Sequence, residues 1–185
     1  VATPKYVVLK DVTELVPGYD HPGFPLFIKP AKAGDSLGID TSSLVYNVED
    51  LGKKATALLQ EYDEILVEEY IEGREFTVLI AAKAGDKNEC KVYTPLEFIF
   101  PEKKKFKTYS LKTSELHKEC NVPCRDDALA SKLWAAASGI FKAFTGVGYA
   151  RLAFRGRDDG SIFFLGINVT CCVFLEMGLR GSSYY

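Results

Sequence analysis

The chain of 185 residues lacks a charge excess, a long apolar run and an even set of cysteines. Its 23 basic and 25 acidic side chains leave a formal charge of -2, so there is no electrostatic case for a nucleic-acid or acidic-membrane partner. No apolar stretch approaches the roughly 20 residues that cross a bilayer. The start, Val1-Ala-Thr-Pro-Lys5, has no apolar signal core and reads as cut from a longer chain, so a cytoplasmic setting is expected. Five cysteines, an odd number, do not make a disulfide framework and fit a reducing compartment. His117, Cys120 and Cys124 have tolerable metal-ligand spacing without an obvious fourth ligand, and read as free thiols in a loop before a helix. There is no internal repeat and no low-complexity segment. What is present is ordinary for a globular chain: 47% hydrophobic and 26% charged residues, enough for one substantial core or two small lobes.

Hydrophobic patterning places short strands at Tyr6–Leu9 and Leu26–Ile28, separated by the Pro/Gly-rich stretch 17–23. Asn47 caps a helix whose apolar stripe is Leu51, Ala55, Leu58 and Leu59, with Asp50 at its third position. Strands are expected at Ile65–Glu69, Glu75–Ala82 and Lys91–Phe100, and residues 101–125 read as polar and irregular. Asp126 or Asp127 caps the longest helix, which carries Leu129, Leu133, Ala137, Ile140, Phe141 and Phe144 inward and ends at Gly146 and Gly148. A hairpin follows, Tyr149–Arg155 returning as Ser161–Asn168, with Asp159-Gly160 as a two-residue turn. Closed that way, Arg151 faces Asn168 and Ala153 faces Gly166, all on one side, because side chains alternate along a strand. Residues 169–185 show no clear period. Strands and helices mix without strict alternation, so the class is α+β.

Three groups of residues carry candidate chemistry. Lys29 ends a strand just before Gly34-Asp-Ser-Leu-Gly38, where a lysine can reach a nucleotide phosphate while loop N–H groups, including those around Ser36, cradle others. In the run 68–75, backbone groups at Glu69 and Ile71 can hydrogen-bond an adenine edge, Glu68 can accept from its amino group, and Glu75 from a ribose hydroxyl. Arg151 and Asn168 form a polar pair on the hairpin.

In order and spacing these pieces resemble the ATP-grasp superfamily, and within it the D-alanine–D-alanine ligase group. The matching stretches are Leu26–Pro30, Gly34–Ile39, Ile65–Val78, Tyr109–Lys112, Gly148–Arg155 and Leu165–Asn168. The resemblance implies an α+β ATP-grasp fold of two lobes with a cleft between them, residues 1–70 in the first and 71–185 in the second. It also implies an ancestry in carboxylate–amine ligation through an acyl-phosphate, with ATP and two magnesium ions. By resemblance, Lys29 is the phosphate lysine and Gly34–Gly38 the phosphate lid. Glu68, Glu69, Ile71 and Glu75 correspond to the adenosine site. Lys112 corresponds to the mobile-loop lysine, Arg151 to the arginine that stabilises the transition state, and Asn168 to a metal ligand.

The departures fall in one place. The family has an Asp where Ala153 stands and a Glu where Gly166 stands, and Val169-Thr-Cys-Cys172 replaces a turn that usually carries Pro and Gly. Without those carboxylates Asn168 cannot hold magnesium alone, so no metal site is expected. The catalytic roles of Arg151 and Lys112 then become vestigial. Charged groups have given way to small ones and two thiols stand beside them, which reads as a site emptied by design to take an apolar, planar ligand such as a chromophore, with Cys171 or Cys172 within reach of it. The other reading is a residual nucleotide-binding pseudoenzyme or excised ligase domain that takes ATP or ADP. On either, the partner is a small molecule, no cofactor is required for catalysis, and the oligomeric state is left open.

Overall fold

The computed structural model describes residues 1–15, 21–34, 36–101, 105–108 and 120–169, with backbone alone at 86–88. The chain divides into two compact units: Pro4–Tyr70 with Lys107 and Thr108, and Val1–Thr3 with Ile71–Phe106 and the described residues from Cys120 onward.

The Pro4–Tyr70 unit is a four-stranded antiparallel sheet in the order β1-β4-β2-β3, with β1 Tyr6–Leu9, β2 Leu26–Pro30, β3 Leu44–Val45 and β4 Ile65–Glu69. Alternation along these strands sends Leu9, Leu26, Ile28, Val45, Ile65 and Val67 to one face, where they bury against Leu51, Ala55 and Leu58 of helix α1, Val48–Leu59. Asn47 starts α1 as expected, its side-chain oxygen accepting from the Asp50 N–H at 2.9 Å. The opposite face carries Phe27, Lys29, Leu66 and Glu68, flanked by Tyr6 and Val8, which are 59% and 41% exposed. Between β2 and β3, Asp40 caps a single 3-10 turn, Thr41–Ser43, and pairs with the buried Lys54 at 3.1 Å. Burial works to raise the Asp40 carboxyl, but the Ser42 hydroxyl and N–H together with Lys54 outweigh it and hold it below its ordinary value.

The second unit is a six-stranded sheet centred on β5, Arg74–Lys83. On one side β5 pairs with β9, Tyr149–Gly156, which pairs with β10, Ile162–Asn168. On its other side β5 pairs with both β6, Asp86–Val92, and β7, Leu96–Phe98, and β7 carries β8, Asn121–Pro123. Ala2 bridges to Phe163 at the outer edge of β10. Phe76, Val78, Ile80, Leu152 and Phe154 face one way and pack on Leu129, Leu133, Ala137 and Phe141 of helix α2, Asp127–Ala143. The Asp126 side chain caps α2 by accepting from the Leu129 N–H at 3.0 Å.

Three expectations are corrected here. The single strand at Lys91–Phe100 is two strands, because Pro95 has no N–H for the ladder and breaks it between β6 and β7. The stretch 101–125 is not wholly irregular, since β8 lies within it. Phe144 is not a core residue: it is the C-cap of α2 and 65% exposed, because the helix ends where Thr145 turns to a φ of 50°. Cys120 and Cys124 are buried and not joined in disulfides, while His117 lies outside the described residues. Among the described residues no helix is long and apolar enough to cross a membrane.

Candidate functional site

In the first unit, Lys29 and Glu68 sit on neighbouring strands, on the sheet face away from α1. The Lys29 ammonium donates to Glu68 Oε1 at 2.7 Å, with side chains 21% and 10% exposed. The next peptides are already engaged. The Glu69 N–H donates to the Lys5 carbonyl at 2.8 Å and the Tyr70 N–H to the Pro25 carbonyl at 3.0 Å, which holds the end of β4 in line. Ser36 sits in the glycine-bearing loop with a φ of 60°, its carbonyl accepting from the Ile39 N–H at 3.0 Å. Two tight turns therefore shape that loop: Leu37 donates to Gly34 in the same way, at 3.1 Å.

In the second unit the face of the sheet away from α2 presents three cross-strand rows. Glu75 pairs with Arg155 and Arg155 with Phe163; Thr77 pairs with Ala153 and Ala153 with Gly166; Leu79 pairs with Arg151 and Arg151 with Asn168. The two pairings expected from alternation, Arg151 with Asn168 and Ala153 with Gly166, are present. They arise by a different route from the one expected. The turn is a three-residue loop, Asp158-Asp159-Gly160, closed by Arg157 N–H to the Ser161 carbonyl at 2.9 Å and Gly160 N–H to the Arg157 carbonyl at 3.0 Å. Gly160 takes a φ of 77°, the left-handed conformation such loops require at their last residue. This loop pairs Phe154 with Phe164 and Arg155 with Phe163, one residue out of step with the pairing at Gly166. A bulge at Leu165 absorbs the offset. It turns Gly166 and Asn168 onto the face of Ala153 and Arg151 and sends Ile167 to the core, which is how a bulge re-aims side chains.

The hairpin tests the fit of a magnesium ion directly. Magnesium asks for near-octahedral oxygen coordination, usually with one or two carboxylates from the protein. Ala153 and Gly166 supply no side-chain oxygen, and Asn168 supplies one amide oxygen at an exposed position. Among the described residues there is no group of three or more His, Cys, Asp or Glu side chains able to hold a metal. The side chains present do not fit the ion. A Cβ built on Gly166 meets nothing within 4 Å. Lys112, Cys171 and Cys172 lie outside the described residues.

One residue missed in the sequence organises the segment 71–75. Arg155 is 3% exposed and lies directly opposite Glu75, itself 8% exposed. Its guanidinium donates to the Ile71 carbonyl at 2.8 Å, to Glu75 Oε2 at 3.2 Å and to the Lys105 carbonyl, and lies 5.7 Å from the Phe100 ring centroid. The signal was present in Arg151-Leu-Ala-Phe-Arg155, where alternation puts this second arginine on the face of Arg151 and Ala153. Glu75 is thus held by an arginine, whatever else it binds. Gly73 makes the approach possible: its φ is 135°, and a Cβ there would lie 2.1 Å from the Gly156 carbonyl oxygen.

The first unit offers a lysine–glutamate pair and a fixed peptide edge. The second offers a buried carboxylate and an arginine–asparagine pair beside Ala153 and Gly166. Known proteins give this arrangement a context. The chain is 32% identical over 145 residues to D-alanine–D-alanine ligase of Aquifex aeolicus, covering 78% of this chain and 45% of that protein. It is 29% identical over 170 residues to the Pseudomonas fluorescens enzyme, covering 91% and 48%. The chain therefore spans about half the length of these curated relatives. In fold it is similar to VanG D-Ala:D-Ser ligase from Enterococcus faecalis, with a TM-score of 0.68, 24% identity and coverage of 91% and 48%. It is likewise similar to the ATP complex of the Bacillus anthracis D-alanine–D-alanine ligase, with a TM-score of 0.63, 19% identity and coverage of 91% and 50%. The family described as D-ala D-ala ligase C-terminus matches residues 10–174, and with this α+β ATP-grasp fold the chain belongs to that family.

Proposed function

We propose that this chain binds an adenine nucleotide through the recognition half of a D-Ala–D-Ala ligase site and does not carry out magnesium-dependent ligation. The observation that carries the proposal is the direct pairing of Ala153 with Gly166, two residues whose side chains supply no oxygen to hold a cation against phosphate. Support for the nucleotide comes from related proteins: the Bacillus anthracis ligase is complexed with ATP, and the structurally similar N5-carboxyaminoimidazole ribonucleotide synthetase with ADP. On this chain Lys29 would meet phosphate, Glu68 and the Ile71 backbone the base, and Glu75 the ribose. Arg151 keeps its position but loses its catalytic task. The partner is a small molecule in a cytoplasmic setting.

A second reading rests on the open space at Gly166. With both carboxylates gone, the strongest desolvation penalty against an apolar ligand is gone too. The same face would then accept a planar apolar molecule, such as a chromophore, with an anionic group on Arg151, as a repurposed or engineered binding protein. Calorimetric titration with ATP in EDTA and in magnesium, beside an assay for phosphate release with D-alanine, tests the first reading. It expects binding whose affinity does not depend on magnesium, and no phosphate release. Magnesium-dependent release of phosphate would overturn it. A visible absorbance band on the purified protein, with no ATP binding, would favour the second.

A further inference from the structure

We infer that Arg155 is a positioning residue that sets both the base-reading backbone and the ribose-reading carboxylate of the nucleotide site. The inference rests on the nucleotide-binding reading and deepens it. Four observations meet at this side chain. It is 3% exposed, so its charge requires compensation within the protein. Its Nη1 donates to the Ile71 carbonyl at 2.8 Å, which fixes the peptide plane following Ile71 and so the ψ of the residue whose backbone would read the adenine edge. Its Nη2 donates to Glu75 Oε2 at 3.2 Å, from directly across the β5–β9 ladder. The same nitrogen donates to the Lys105 carbonyl, and the guanidinium plane lies near the Phe100 ring, so it cannot swing away from either partner without losing the other.

One planar, five-donor group therefore spans two recognition elements four residues apart in sequence. Glu75 is turned to one orientation by this contact, so that an oxygen can accept from a ribose hydroxyl. The close packing of Gly73 on the Gly156 carbonyl draws the 71–75 turn onto the strand carrying Arg155, which brings the fork within reach of Ile71. Lysine could keep the charge but not the two-pronged geometry. Arg155 touches no ligand atom in this scheme; it acts through Ile71 and Glu75.

The test separates positioning from mere stability by reading ribose discrimination. Affinities of the full chain for ATP and for 2′-deoxy-ATP and 3′-deoxy-ATP are measured by calorimetry for the parent, Arg155→Lys and Arg155→Met. The parent is expected to prefer ATP to at least one deoxy analogue. Both variants should bind ATP about tenfold to a hundredfold more weakly, the size expected from losing an orienting hydrogen bond to a charged group, with the ribose preference falling toward unity. Arg155→Met leaves Glu75 buried without the arginine; if it does not fold, Arg155→Lys carries the measurement. A folded variant that keeps the parent's ATP affinity and ribose preference overturns the positioning role while leaving the nucleotide reading intact. A parent that binds no adenine nucleotide overturns both.

Discussion

Returning carboxylates to the two bare positions, Ala153→Asp with Gly166→Glu, should make the stability of this chain depend on magnesium. The two residues are direct cross-strand partners, so their Cβ atoms would stand about 5 Å apart. Packing does not oppose a side chain at Gly166, whose built Cβ meets nothing within 4 Å. Two ionised carboxylates at about 5 Å repel by about 1–3 kcal/mol for an effective dielectric between that of water and that of a protein surface. Arg151, the next residue on the same face, offsets part of this, which leaves a net loss of about 1–2 kcal/mol. In a chain of this size that corresponds to a fall in Tm of about 2–8 °C in EDTA. A divalent cation bridging the pair removes the repulsion, and at a hundred times its Kd stabilises the folded form by about 2.7 kcal/mol. Thermal unfolding in EDTA and in increasing magnesium, run on the parent, both single variants and the double variant, reads this as a coupling that only the double variant shows. A double variant as indifferent to magnesium as its parent, or a parent that gains as much as the double variant, would refute the claim that these positions are the vacated metal site.

Two further outcomes follow from the packing. Gly73→Ala should destabilise the second unit by about 2–4 kcal/mol, read by urea unfolding, because it combines a left-handed φ of 135° with a Cβ 2.1 Å from the Gly156 carbonyl; a change below about 0.5 kcal/mol, the size of a neutral surface substitution, would contradict the close approach. Asp40 has a folded pKa below its ordinary 3.8, so its contribution is complete above that value and is lost as pH falls through the lower folded one. Asp40→Asn should therefore lower stability near neutral pH and flatten the acid limb of the stability profile, and an unchanged acid limb would show that the Lys54 and Ser42 contacts do not bind the carboxylate.

Local features of the fold were legible in the sequence because their causes are local. Asn47 and Asp126 cap their helices through side-chain oxygens that reach N–H groups three residues on. Pro95 breaks its strand by what it lacks, an N–H for the ladder. The placement of Arg151, Ala153, Gly166 and Asn168 on one face followed from alternation, and membership of the ligase family from the order of short motifs. The bulge at Leu165 was not legible, because it balances an offset created by the Asp158–Gly160 loop and exists only when both strands are paired. Nor was the role of Arg155, whose partners Ile71 and Glu75 lie 84 and 80 residues away. The sequence alone determined which groups are present, including an alanine at 153 and a glycine at 166. Tertiary structure decided what those groups hold, since strand pairing brings distant residues within hydrogen-bond range and burial makes a charged group take the partners it finds there.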